Sequence, residues 1–239
     1  MVYTFGVYRL IKKYSKWLFP LLLVGGLAPL TPFLDMEIAR FFYDGAHFVD
    51  NGWTRFLYRY GEIFGFICGG FACAIYLLSW GVASLKKWRK GALCLGLTLI
   101  LGAGITVNMV LKEYWGRPRP KQVEEFGGKS LFLPFYKPHL QQKEDPHKSF
   151  PSGHATMGFY YFSLCLVGRR YGSRALFVLG LTLTIGLGVG LSLTRIAQGG
   201  HFFSDTVIAA LVMWLTALFV DWLVFHTPYL DFREEQDTR

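Results

Sequence analysis

Formal charge is scarce in this sequence. Asp, Glu, Lys and Arg together make up 17% of it, against roughly 25% in soluble globular domains. Acidic residues are the scarcer sign, 16 against 25 basic, for a formal net charge of +9. Cysteine is limited to Cys68, Cys73, Cys94 and Cys165, all inside apolar stretches, a placement that speaks against a disulfide framework or a thiolate metal site. What abounds is apolar surface: 52% hydrophobic and 18% aromatic residues, with a mean hydropathy of +0.31. Disorder, collagen and small disulfide scaffolds are thereby excluded. Stretches of about twenty residues carry no charge, while Lys and Arg crowd the short gaps between them, as expected of bilayer-spanning helices. The fold class is therefore all-α, a polytopic membrane helix bundle, and its basic excess suits anionic lipid better than nucleic acid.

Six spans are predicted: Trp17 to Leu34, Phe64 to Leu85, Gly91 to Leu111, Ser149 to Gly168, Ala175 to Thr194 and Thr206 to Val224. The first holds Pro20, Pro29 and Pro32 and should be kinked. It is preceded by Arg9, Lys12, Lys13 and Lys16 without any acid and shows no small-residue cleavage site, the pattern of a retained signal anchor. The gaps at Lys86, Lys87, Arg89 and Lys90 and at Arg169, Arg170 and Arg174 are also wholly basic, so the positive-inside rule makes all three segments, and both termini, cytoplasmic. Residues 35–63 then lie outside, where Trp53, Phe56, Leu57 and Tyr60 repeat at the spacing of a helix lying flat at the interface. The loop from Lys112 to Lys148 must be external too, yet it carries eight basic residues against five acidic ones. A basic excess on that side calls for an anionic ligand.

The same side collects three motifs. Lys112, six intervening residues and Arg119-Pro120 follow the third span; Pro151-Ser152-Gly153-His154 opens the fourth; Thr194-Arg195, five residues, His201, three residues and Asp205 join the fifth to the sixth. Each has a plain structural explanation. A terminal Lys or Arg can anchor to head groups, Ser152 can cap a helix, and His201 and Asp205 can pair along one helical face. Their convergence suggests more, namely a phosphate site. Lys112, Arg119 and Arg195 match the charge of a phosphate group, with the N–H groups of Ser152 and Gly153 as added donors at a helix N-terminus. Asp205 can hold one nitrogen of His201 as N–H and leave the other as nucleophile, while His154 protonates the leaving oxygen. Carboxylate clusters suited to Mg²⁺ or zinc are missing from the motifs, so no metal or other cofactor is expected.

These three motifs together resemble those of the type 2 phosphatidic acid phosphatase family, the lipid phosphate phosphatases, which share a core with vanadium haloperoxidases and bacterial acid phosphatases. The resemblance implies one membrane-embedded domain over residues 1–239, with core motifs at 112–205, and a phosphohistidine mechanism. His201 would be the nucleophile, Asp205 its orienting acid and His154 the general acid; Lys112, Arg119, Ser152, Gly153 and Arg195 would bind phosphate. Thr194 stands where the family usually has Ser, and the hydroxyl is kept. Arg117-Pro118 offers a second Arg-Pro choice, but the spacing selects Arg119, so an Arg117→Ala change is expected to be mild. Lys121, His147 and Lys148 would form an outer basic shell. The resemblance extends to bacterial enzymes of the periplasmic face of the inner membrane. Their substrates would be lipid phosphates, with lipid A 1-phosphate first and undecaprenyl pyrophosphate or phosphatidylglycerophosphate as alternatives; a lipid phosphotransferase could use the same site.

Overall fold

The computed structural model describes residues 2–140 and 147–226. Lys143 of the long basic loop, the tail from residue 227, and the side chains of Arg9, Lys12 and Lys13 lie outside the described residues. The elements are α1 (Val2–Leu27), α2 (Thr31–Phe41), α3 (Gly52–Tyr60), α4 (Ile63–Leu78), α5 (Arg89–Thr98), α6 (Lys112–Tyr114), α7 (Gly153–Phe159), α8 (Phe162–Arg170), α9 (Arg174–Leu183), α10 (Gly190–Ala197) and α11 (Phe203–His226). Wider π-helical turns at Leu99–Leu111 and Thr184–Val189 join α5 to α6 and α9 to α10.

Five continuous helical stretches among the described residues are long and apolar enough to cross a membrane: Tyr14–Phe41, Gly52–Leu78, Ala83–Tyr114, Arg174–Ala197 and Phe203–His226. The chain is a multi-pass membrane protein. The residues of the fourth predicted span form two short consecutive helices, α7 and α8, separated by a turn at Tyr160 and Tyr161; they are not among the five, so a sixth crossing is not shown. The helix predicted to lie flat at the interface also differs. Asn51 and Thr54 start α3 with a reciprocal capping box, but Gly61 keeps right-handed helical angles, so α3 runs almost directly into α4. Nothing between them breaks the chain as Pro would. Trp53, Phe56 and Tyr60 stay exposed on one side of α3, while Thr54, Tyr58 and Glu62, four residues apart, follow the other side.

Close helix contacts rest on small residues, as membrane bundles favour. A Cβ on Gly158 would lie 2.5 Å from Gly188 Cα, so α7 can lie against the Thr184–Val189 turns only because no side chain intervenes. At the end of the bundle away from the motifs, the Asp221 expected late in the last span forms a two-point pair with Arg170, at 2.8 and 2.7 Å. At the motif end, Ala39, Val123, Phe126 and Phe202 form a buried cluster that fastens the loop after α6 onto α2 and the start of α11. Cys94 and Cys165 are buried and Cys73 is exposed, all as free thiols.

Candidate active site

The three motifs meet at one end of the bundle. Lys112 sits where the π-helical stretch ends; the side chains of Thr106 and Asn108 bond carbonyls five residues back, at 2.8 Å each. The wider turn changes which way Lys112 points relative to an α-helix, a common use of such segments near functional sites. A Cβ on Gly153 would lie 3.1 Å from Lys112 Nζ and 3.5 Å from Asn108 Oδ1. Glycine therefore keeps the N-terminus of α7 open to the ammonium group. Ser152 does what a cap does: its Oγ accepts from the Ala155 N–H at 3.4 Å, and its own N–H donates to the Asp205 carbonyl at 3.3 Å. Its amide is thus engaged within the protein, unlike the free donor the sequence suggested.

Arg195 is buried on α10, with its guanidinium carbon 4.5 Å from the Tyr58 ring centre and Nη1 donating to Gln198 Oε1 at 2.6 Å. Among the described residues its Nε is buried without a hydrogen-bond partner, a costly state that an anion would relieve. The chain then turns through Gly199, at φ +60°, and a Cβ on Gly200 would lie 2.3 Å from Arg195 Nη2. Two glycines let the backbone pass the guanidinium and deliver His201. Arg119 is half-buried on the loop after α6, its backbone N–H held by Gln122 Oε1 at 2.9 Å.

His201 is almost wholly buried, and its Nδ1 lies 2.5 Å from the Ser149 carbonyl oxygen. A carbonyl can only accept, so Nδ1 carries the proton and Nε2 keeps its lone pair. Asp205 Oδ2 stands 3.7 Å from the same nitrogen. The sequence assigned the orienting contact to Asp205 alone; the shorter one comes from Ser149, and Asp205 in turn accepts from Ser149 Oγ at 2.6 Å and from the Phe202 N–H at 2.8 Å. Burial, aided by the charges of Arg195 and Lys112, lowers the His201 pKa from 6.5 to about 4 against the opposing pull of Asp205. The ring is neutral near pH 7.

His154 stacks on Tyr58, with centroids 4.9 Å apart and planes at 15°. Its Nε2 faces the Tyr58 carbonyl at 2.9 Å and its Nδ1 faces Glu62 Oε1 at 3.0 Å. Nε2 must therefore donate, and the Nδ1 contact needs one proton shared between imidazole and carboxyl. The charges of Arg195 and Lys112 act on this ring as well as on His201, so the same two cations serve both imidazoles.

Glu62 and Asp35 were not singled out from the sequence, and Arg117 was given a minor part. Glu62 reads there as one of several acids in an external segment. Asp35 reads as the first residue of the external segment, although an acid abutting apolar helix is itself a functional signal. Arg117 was the second Arg-Pro choice, with a mild effect expected of its loss; its surroundings argue for a larger one. It is 1% exposed, Nη2 donates to Asp35 Oδ2 at 2.7 Å, Nη1 donates to Ser204 Oγ at 2.8 Å and to Asp205 Oδ1, and Nε donates to the Leu133 carbonyl at 2.8 Å. Its guanidinium carbon lies 4.5 Å from the Phe202 ring centre. Of the outer basic shell, Lys148 is paired with Glu113 at 2.6 Å and His147 with Ser130 at 3.0 Å.

The sequence profile of the PAP2 superfamily matches residues 91–228. This chain belongs to that superfamily. It is 32% identical over 206 residues to a lipid A 4'-phosphatase of Francisella tularensis subsp. novicida, covering 84% of this chain and 88% of the relative. It is 36% identical over 138 residues to a lipid A 4'-phosphatase of Rhizobium leguminosarum, with 56% and 53% covered. A lipid A 4'-phosphatase of Rhizobium etli is 32% identical over 135 residues, with 56% and 48% covered. No solved structure matches this chain significantly. As a PAP2 member, the chain is a membrane lipid phosphatase, a phosphoric monoester hydrolase.

Proposed function

We propose that this enzyme removes the 4'-phosphate of lipid A, at the periplasmic face of a bacterial inner membrane, through a phosphohistidine. The names of three relatives favour the 4' position over the 1-phosphate suggested by overall resemblance. The basic gaps at Lys86 to Lys90 and Arg169 to Arg174 support a cytoplasmic location for the opposite end of the bundle.

One observation carries the chemistry: a buried neutral imidazole, His201, with Nδ1 fixed by a carbonyl and two cations nearby. Lys112, Arg119, Arg195 and the Gly153 N–H hold the phosphate oxygens and stabilise the charge that spreads over them during transfer. His201 Nε2 attacks phosphorus in line with the ester oxygen. The N–P bond forms, the P–O bond breaks, and the sugar oxygen leaves with the proton held between His154 and Glu62. Water then attacks the phosphohistidine, the same pair takes up its proton, and inorganic phosphate departs. Ser152 acts through its cap, fixing the first turn of α7, and Asp205 holds the loop that carries His201.

The test is phosphate release from lipid A by detergent-purified protein with chelator present, with mass spectrometry to tell which phosphate is lost. Retained turnover, loss of the 4'-phosphate, and no turnover or trapped phosphohistidine in His201→Ala are the expected outcomes. Loss of the 1-phosphate would reverse the positional assignment, and full activity of His201→Ala would remove the mechanism.

A further inference from the structure

A cavity of about 710 Å³ opens beside the candidate site. Two of its lining residues tie it to the phosphate cradle. Gln198 accepts the hydrogen bond from Arg195 Nη1, and the backbone N–H of Lys121 donates to the Gly199 carbonyl at 3.2 Å. Its far wall is the loop after α2, held to the end of α10 by a hydrogen bond from the Val49 N–H to the Ala197 carbonyl at 3.0 Å. Nothing in the mechanism above uses this space.

Its chemistry differs from that of the cradle. Tyr43, Phe48 and Phe126 pack on one another with ring centres 5.1 to 5.3 Å apart, giving a rigid aromatic side. Asp44 and Asp50 supply carboxylates, the first held below the usual range by the N–H groups of His47 and Ala46, the second by Arg55. Ionised carboxylates only accept hydrogen bonds. Asp44 can accept from a hydroxyl group, Asp50 is held by Arg55, and Lys121 lines the end nearest the cradle, so the cavity suits a polyhydroxylated ring whose phosphate lies at its Arg195 and Lys121 end. Phe42 and Val49 also line an apolar groove of about 600 Å³ between α3 and α10, which gives an amphiphile a place for a chain beside its ring.

We propose that this cavity is a saccharide subsite: it receives the pyranose ring that bears the scissile phosphate, and it makes the enzyme prefer glycolipid phosphates to glycerolipid phosphates. The inference rests on the lipid A reading for its ligand and adds a location for selectivity. Few, convergent polar groups on an aromatic wall are what small-ligand sites use to fix orientation.

The experiment measures kcat/KM of the full-length protein on two lipids, an acylated glucosamine disaccharide 4'-phosphate and phosphatidic acid. Two variants are compared with wild type. Ala46→Trp fills the cavity from an exposed wall position; Asp44→Asn removes the charge but keeps an oxygen for the Ala46 and His47 N–H groups. Both should lose about tenfold or more on the saccharide lipid, the value of one well-made hydrogen bond or contact, and retain their rate on phosphatidic acid, which also reports correct folding. Equal losses on the two lipids, or none on either, overturn the subsite and leave the lipid A reading intact. Wild-type turnover of phosphatidic acid without any of the saccharide lipid overturns that reading, and the subsite with it.

Discussion

Arg117 takes Oδ1 of Asp205 and leaves Oδ2 facing His201. The guanidinium also binds Asp35 from α2, so three segments far apart in the chain are joined behind the imidazole by charges 0 to 1% exposed. Removing one member of such a buried set leaves the others uncompensated, which costs far more than the intact set contributes to stability.

Arg117→Ala should therefore be among the most damaging changes near the site. The expected loss is about 3–5 kcal/mol of stability, read as a lower midpoint in a thermal melt in detergent, together with a large fall in turnover. Arg117→Lys should recover little, because one ammonium cannot bridge two carboxylates as a guanidinium fork does. A melt and a rate close to wild type for Arg117→Ala would refute this.

Glu62 Oε1 lies 3.0 Å from His154 Nδ1, so on the proposed mechanism Glu62→Gln should slow protonation of the leaving oxygen. The expected loss is about 10²-fold on a lipid with a poor alkoxide leaving group, the usual yield of general acid catalysis. A p-nitrophenyl ester, whose oxygen leaves without help, should be hydrolysed at nearly the wild-type rate. Equal losses on both esters would mean that Glu62 shapes the cradle rather than supplying the proton.

The lowered pKa of His201, about 4 against an ordinary 6.5, fixes two pH dependences. The acid limb of kcat/KM for a His201-dependent reaction should fall with an apparent pKa near 4, because only there does Nε2 lose its lone pair. Stability should move the same way. Between pH 6.5 and 4 the unfolded ring binds a proton that the folded ring does not, so this group's contribution is complete above pH 6.5 and declines as pH drops toward 4. A His201→Gln comparison separates its share of the melting curve from that of other groups; an acid limb centred near 6.5 would contradict the burial argument.

Much of this was legible in the linear chain. Charge-free stretches located five continuous helices and, in the broken pair α7 and α8, the sixth apolar segment. Motif spacing points to His201, His154, Asp205, Lys112, Arg119 and Arg195, and the structure brings their segments to one end. What stayed hidden depends on direction and depth. Two neighbouring Arg-Pro pairs look alike in sequence, yet Arg117 is buried and Arg119 only half-buried, a difference set by how the loop after α6 packs on Phe202 and Phe132. Ser149 could not be found because its backbone oxygen does the work, and a carbonyl carries no side-chain signature. Glu62 was obscured because the aromatic periodicity of α3 marks its exposed side, while the side meeting His154 is written in Thr54, Tyr58 and Glu62.

Asp35 also bears on where this enzyme can be cut. The superfamily profile starts at residue 91, but Asp35, Tyr58 and Glu62 all precede it. A polypeptide trimmed to that signature would bury a guanidinium stripped of one counter-ion and leave His154 without its Glu62 contact. The recognisable unit is smaller than the set of residues that meet at the candidate site, and the first two hydrophobic crossings contribute Asp35, Tyr58 and Glu62 to it.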